Sequence, residues 1–124
     1  GEIGAGHSVT ALYEIKLHPD AAGRIATVYM RWEDPDTHEV TELSQDFDSG
    51  DIAESFSAAA PHFQWDVVVA EYAEILRGSY WAEGSSLATV LEEAERVSRL
   101  LPDDPDVVEF VELVRRASTI AGRD

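Results

Sequence analysis

The sequence predicts an α+β fold, with an N-terminal antiparallel three-stranded sheet followed by three to four helices packed on one face. Three observations carry that expectation. The first third of the chain alternates apolar and polar residues with period two. After Phe47 the apolar period changes to 3.6. Hydrophobic residues make up 44% of the 124-residue chain, enough for a globular core and for folding without covalent staples. Strands first and helices afterwards place the helices on one side of an antiparallel sheet. The chain is read as a single domain over residues 1–124.

The first strand is predicted from His7 to His18. Val9, Ala11, Tyr13, Ile15 and Leu17 fall on one face, while Ser8, Thr10, Glu14, Lys16 and His18 fall on the other, and Leu12 alone breaks the pattern. A Pro19 to Gly23 turn cluster follows. The second strand runs from Ile25 to Glu33, with Ala26, Val28, Met30 and Trp32 opposite Thr27, Tyr29, Arg31 and Glu33. Asp34-Pro35-Asp36-Thr37 reads as a type I-like turn, with proline at its second position. A third, weaker strand spans His38 to Asp46, where Val40 and Leu43 sit out of phase. Its poor alternation and several acids mark it as an edge strand.

Helices occupy the rest. Asp48 or Ser49 caps a short helix through Phe56. A longer helix runs from about Pro61 to Arg77, with Trp65, Val69, Tyr72 and Leu76 as its apolar stripe and Val68 and Ile75 alongside. Pro61 fits the first turn and Gly78 the C-terminal stop. The next helix starts after Ser85 or Ser86 and buries Leu87, Val90, Leu91, Ala94, Val97 and Leu101, with Pro102 ending it. Glu92 with Arg96 and Glu95 with Arg99 have the favoured i,i+4 orientation. The last helix opens at Asp104-Pro105-Asp106, with acids on the positive helix end. Val107, Phe110, Val111, Val114, Ala117 and Ala121 line its inner side.

Charge excludes more than it assigns. Twenty-five acids against nine basic residues give a formal net charge of −16. Such a surface repels phosphate, so nucleic-acid binding and anionic-membrane binding are excluded as partners. There is no cysteine, hence no disulfide, thiolate nucleophile or cysteine-ligated zinc. The longest aliphatic run, Val67-Val68-Val69-Ala70, is far short of a membrane span. No signal peptide opens the chain, which starts at Gly1 without Met and reads as a piece of a longer protein. Lys16 is the single lysine beside eight arginines. That skew fits either a salt-adapted source or a GC-rich genome.

Each apparent motif has a plainer reading. Gly1 to Ser8 superficially resembles a nucleotide loop, but its glycines precede a strand rather than a helix, so they serve as a lead-in. Glu33-Asp34-Pro35-Asp36 and Asp103-Asp104-Pro105-Asp106 lack the layout of a calcium loop and fit turn and cap chemistry. The four histidines, His7, His18, His38 and His62, share no i,i+4 spacing suited to zinc. No Gly-x-Ser-x-Gly elbow is present. No catalytic, cofactor-binding or metal-ligating residue stands out. Tyr80 and Trp81, adjacent large aromatics just after a helix stop, stand apart. The plain reading buries Trp81 under the helices and leaves Tyr80 half exposed. The alternative makes the pair an anchor on an interaction surface, since Tyr, Trp and Arg dominate binding hot spots.

Several segments together are similar to a known family. They are Gly4-Ala5-Gly6-His7-Ser8-Val9-Thr10-Ala11-Leu12-Tyr13-Glu14-Ile15, then Ala26-Thr27-Val28-Tyr29-Met30-Arg31-Trp32 with Asp34-Pro35-Asp36, and Ala70-Glu71-Tyr72-Ala73-Glu74-Ile75-Leu76-Arg77-Gly78-Ser79. This pattern resembles the C-terminal domain of unknown function that follows the von Willebrand factor type A domain in a family of bacterial proteins. The resemblance implies that the chain is the C-terminal fragment of such a protein, in an extracytoplasmic or membrane-anchored setting. The metal-ion-dependent adhesion site of the type A domain is an Asp-x-Ser-x-Ser loop. Asp48-Ser49-Gly50-Asp51 does not match it, so no metal ligand carries over.

The expectation is therefore a non-enzymatic accessory or interaction domain, without cofactor. It packs on or positions an adhesion-type von Willebrand factor A domain, in the same parent chain or in another protein. This region itself makes no membrane contact. The alternatives are a ligand- or divalent-cation-binding module, or an enzyme whose site assembles from scattered Asp, Glu and His residues.

Overall fold

The computed structural model describes residues 3–4 and 6–122, which form two compact units, one of residues 13–55 and one built from the start of the chain and residues 56 onward.

In the first unit, β1 (Arg24–Glu33) and β2 (Val40–Asp48) pair antiparallel. Val28 stands opposite Gln45, Met30 opposite Leu43 and Trp32 opposite Thr41, and a bulge at Ile25 shifts the register beyond Ala26. The turn between the strands is organised by one carboxylate. Asp34 Oδ1 accepts hydrogen bonds from the backbone N–H of Asp36 at 2.9 Å and of Thr37 at 2.8 Å. His38, at φ 58°, supplies the left-handed residue that returns the chain to β2, and its ring nitrogen lies 2.7 Å from Glu33 Oε1. Histidine tolerates this conformation better than most non-glycine residues.

This sheet corrects the expected architecture, because it has two strands rather than three. The predicted strands 25–33 and 38–46 are present with slightly shifted ends. The predicted first strand, residues 7–18, forms no strand and joins no ladder among the described residues. Its apolar positions are exposed, Tyr13 at 82%. Alternation encodes which side of a sheet a segment would bury, but it does not by itself set which strand the segment pairs with, and the outer edges of both β1 and β2 stay unpaired among the described residues. The chain remains α+β.

The second unit holds the core. The expected short helix is replaced by two 3₁₀ turns, Ser49–Asp51 in the first unit and Phe56–Ala58 in this one, after which come α1 (Pro61–Leu76), α2 (Leu87–Ser98) and α3 (Pro105–Ala121). Val68, Val90, Ala94, Val97, Val111 and Val114 form the buried centre, with Tyr72 at its edge. Phe110 meets Trp65 and Tyr72 edge-on, with ring centroids 4.9 and 5.3 Å away. Edge-to-face geometry sets the positive rim of one ring against the negative face of another.

The ends of the helices follow their local chemistry. Ser86 Oγ accepts from the Thr89 N–H at 3.1 Å, and Asp104 Oδ1 accepts from the Asp106 N–H at 3.0 Å. At the end of α1, Gly78 takes φ 63°. Its N–H bonds the Ile75 carbonyl and the Ser79 N–H bonds the Glu74 carbonyl, so two otherwise unpaired helix carbonyls are satisfied.

Two details of the predicted packing change. The buried line of α1 is Gln64, Val68 and Tyr72, whereas Leu76 lies exposed. Arg96 pairs with Glu93 rather than Glu92, and Glu95 reaches across to Arg115 on α3 at 2.7 Å instead of to Arg99. A carboxylate between two helices finds the cation that packing brings nearest, which sequence spacing within one helix does not reveal.

Candidate interaction surface

Exposed apolar side chains occur in both units, and two groups of them, a face of the hairpin and an aromatic turn, form the candidate surface. On the hairpin, the antiparallel register sorts side chains cleanly between two faces. Ala26, Val28, Met30 and Trp32 share one face with Leu43 and Phe47, a surface without any charged side chain. The other face carries Thr27, Tyr29, Arg31 and Glu33 with Glu42 and Asp46. There the Thr27 hydroxyl donates to Asp46 Oδ1 at 2.6 Å, Arg24 approaches the same carboxylate at 3.5 Å, and Arg31 lies 3.9 Å from Glu42. Cross-strand ion pairs suit a water-facing surface. The apolar face is nonetheless exposed as well, with Val28 at 52% and Trp32 at 47%.

The electrostatics of the hairpin are set by hydrogen bonds rather than burial. Asp34 is held below the usual aspartate range by the Thr37 and Asp36 amides. Asp46 is lowered chiefly by the Thr27 hydroxyl, with help from Arg24. In the helical unit the Arg115 guanidinium is raised by its hydrogen bond to Glu95 and by the nearby Glu112.

The second group is the aromatic turn. Tyr80 and Trp81 lie in a 3₁₀ turn, Tyr80–Ala82, entered through Ser79, whose Oγ accepts from the Trp81 N–H at 3.3 Å. Their rings stack edge-to-face at 5.7 Å. Tyr80 is 73% exposed and Trp81 68% exposed, so Trp81 does not pack under the helices as the plainer sequence reading held. The turn is too short to bury either ring, and each is in contact with the other.

The other residues singled out in the sequence occupy ordinary places. His7, His18, His38 and His62 are all exposed. Among the described residues no group of three or more His, Asp or Glu side chains is placed to hold a metal ion. The acidic clusters 33–36 and 103–106 supply the turn carboxylate Asp34 and the helix cap Asp104. The glycine-containing lead-in lies partly outside the described residues, because Gly1, Glu2 and Ala5 are not among them. Two open depressions mark the surface, one along Arg115, Arg116, Thr119 and Ile120, the other between His62 and Leu100–Pro105. No helix among the described residues is long and apolar enough to cross a membrane.

Sequence reasoning missed two polar anchors. Gln64 is fully buried, and its amide donates to the Ala59 carbonyl at 2.7 Å and the Ser57 carbonyl at 3.3 Å, fastening the preceding loop to α1. Ser85 Oγ donates to Glu71 at 2.6 Å, tying α1 to the segment before α2. Gln64 sits three and four residues from the apolar positions Pro61 and Val68, so the helical period marks its side as buried although its type does not.

Comparison with curated proteins and with solved structures finds no match. One family matches over residues 1–120, and its description is "Uncharacterized protein YfbK, C-terminal". The chain belongs to that family.

Proposed function

We propose that this chain is a non-enzymatic accessory region that packs on, or positions, an adhesion-type von Willebrand factor A domain. The observation that supports this most is the hairpin's uncharged apolar face, whose Val28, Met30, Trp32 and Leu43 side chains are exposed. Sheets bury one face against another element, and apolar surface left over marks an interaction site more often than an accident of folding. The family description supports the reading further, because a C-terminal region has chain before it to contact. The link to the type A domain comes from the sequence resemblance over residues 4–15, 26–36 and 70–79.

The test is a pull-down on the intact parent protein, prepared with and without this region. The proposal predicts that partners or self-assembled forms are captured by the intact version and lost on removal. Identical partner sets and an unchanged activity of the remaining protein would overturn it.

A further inference from the structure

We infer that residues 56–60 form a strap latched onto α1 by the Gln64 carboxamide, and that its release lengthens the tether between the hairpin and the helices while the helical core stays intact. The inference is independent of the accessory-region reading, because every contact it uses lies inside the helical unit.

The latch is polar. Gln64 is 1% exposed. A carboxamide nitrogen carries two N–H donors, and its oxygen is an acceptor. Both donors go to the strap, one to the Ala59 carbonyl at 2.7 Å and one to the Ser57 carbonyl at 3.3 Å. The oxygen, Oε1, is buried without a hydrogen-bond partner among the described residues. Closing the strap therefore leaves one acceptor unmet, a cost that water removes as soon as the strap lifts. Lifting also hydrates the amide nitrogen and both carbonyls, so the two bonds that break are replaced.

The strap is not anchored in the apolar core. The buried centre of the helical unit and the half-buried side chains packed on it come from residues 65–117, with none from 56–60. Release of the strap takes no side chain out of that centre. Phe56 lies instead against Arg96, whose guanidinium carbon is 5.8 Å from the ring centroid. Arg96 has Glu93 as a second partner at 2.7 Å, so losing Phe56 strands no charge. At the start of α1, Ala60 supplies no side-chain cap, whereas Ser86 and Asp104 cap α2 and α3. The chain entering α1 is tied down by a side chain one turn into the helix rather than at its first residue.

The consequence falls on the connection to the hairpin. While the latch is closed, residues 52–55 join the turn Ser49–Asp51 to the strap. Release adds residues 56–60 to that connection, up to about 17 Å of further reach. The tether has two lengths, and one buried amide selects between them.

The test is amide hydrogen exchange, read by NMR on this chain and on its Gln64→Glu and Phe56→Ala variants. In the unaltered chain the Gln64 side-chain protons and the Ala59 N–H, which bonds the Phe56 carbonyl, should show one common protection. That protection should be at least about tenfold weaker than that of the Val97 N–H in α2. Gln64→Glu sets carboxylate oxygens against two carbonyls, so Ala59 exchange should rise at least about tenfold with Val97 unchanged. Phe56→Ala should act in the same direction by a smaller factor. Chymotrypsin cleavage after Phe56 should rise in step in Gln64→Glu, because a protease needs the strap released and extended. Equal protection of Ala59 and Val97 in the unaltered chain would overturn the inference. So would variants that speed Val97 as much as Ala59, or that leave Ala59 unchanged. Faster Ala59 exchange without added cleavage after Phe56 would overturn the lengthening.

Discussion

The hairpin and the helical unit solve the same problem in opposite ways. Both are amphipathic by sequence, one with period two and the other with period 3.6. Yet every buried hydrophobic side chain among the described residues belongs to α1, α2 or α3, and β1 and β2 contribute none. Three helices can close around their own stripes, because each presents a curved ridge to two neighbours. Two strands make a ribbon with one apolar side, and a ribbon cannot close that side on itself. Amphipathicity therefore produces a core in one region and a recognition surface in the other. Local geometry decides which.

The sharpest way to break this comparison is to place the same substitution in both regions. Val97 is fully buried, whereas Val28 is half exposed on the hairpin. Val97→Asp should destabilise the helical unit by at least about 4 kcal/mol, since it buries an unpaired charge. Val28→Asp in the isolated chain should change stability by less than about 0.5 kcal/mol. Urea unfolding followed by circular dichroism at 222 nm checks both. Comparable losses would mean that the hairpin face is already buried.

A smaller effect is expected at a helix cap. Ser86 accepts from the Thr89 amide at the start of α2, so Ser86→Ala should cost about 1 kcal/mol in the same unfolding experiment. A neutral result would show that the α2 end is held by packing alone.

Acid separates the regions by mechanism. Asp34 and Asp46 have carboxyl pKa values lowered in the folded hairpin. A lowered carboxyl pKa contributes stability above its unfolded value, and that contribution disappears as pH falls through the folded value. As pH falls below the ordinary aspartate range near 4 and through the lower folded value, the Asp36 and Thr37 amides should lose their charged acceptor and the hairpin turn should loosen. Amide chemical shifts of Asp36, Thr37 and Thr27 between pH 6 and pH 2.5 report this directly. Movement confined to the helical amides would contradict it.

Salt should have the mildest effect. A net charge of −16 repels itself within one folded chain, so the melting temperature should rise from low to moderate NaCl as the charges are screened. A flat melting temperature would show that the acids lie too far apart to interact.

Much of the local structure was legible in the sequence, because its causes are local. Pro61, Gly78, Ser86, Asp104 and Pro105 mark helix ends through backbone chemistry that needs no distant partner. The alternation in 25–33 placed Val28, Met30 and Trp32 on one face, and the out-of-phase Val40 and Leu43 do lie on opposite faces. What failed depended on partners far away in sequence. The pairing of a strand at 7–18 is a long-range contact that alternation does not encode, Glu95 chooses Arg115 across two helices, and Gln64 is buried to hold a loop carbonyl. The exposure of Trp81 was also hidden, because residue type predicts burial only when a neighbouring surface exists to receive the side chain. Tyr80 and Trp81 were recognisable as unusual from adjacency alone, but the hairpin face emerges only when the β1–β2 register is known.

Hydrogen–deuterium exchange measured on this chain and on the intact parent tests the central claim most directly. In the isolated chain, amides of β1 and β2 should exchange far faster than those of α2 and α3, because an uncovered two-stranded ribbon opens easily. In the intact parent, the strand amides should become as protected as the helix amides. Strands that are equally protected in both proteins, or equally labile in both, would contradict the assignment of the hairpin as a covered face.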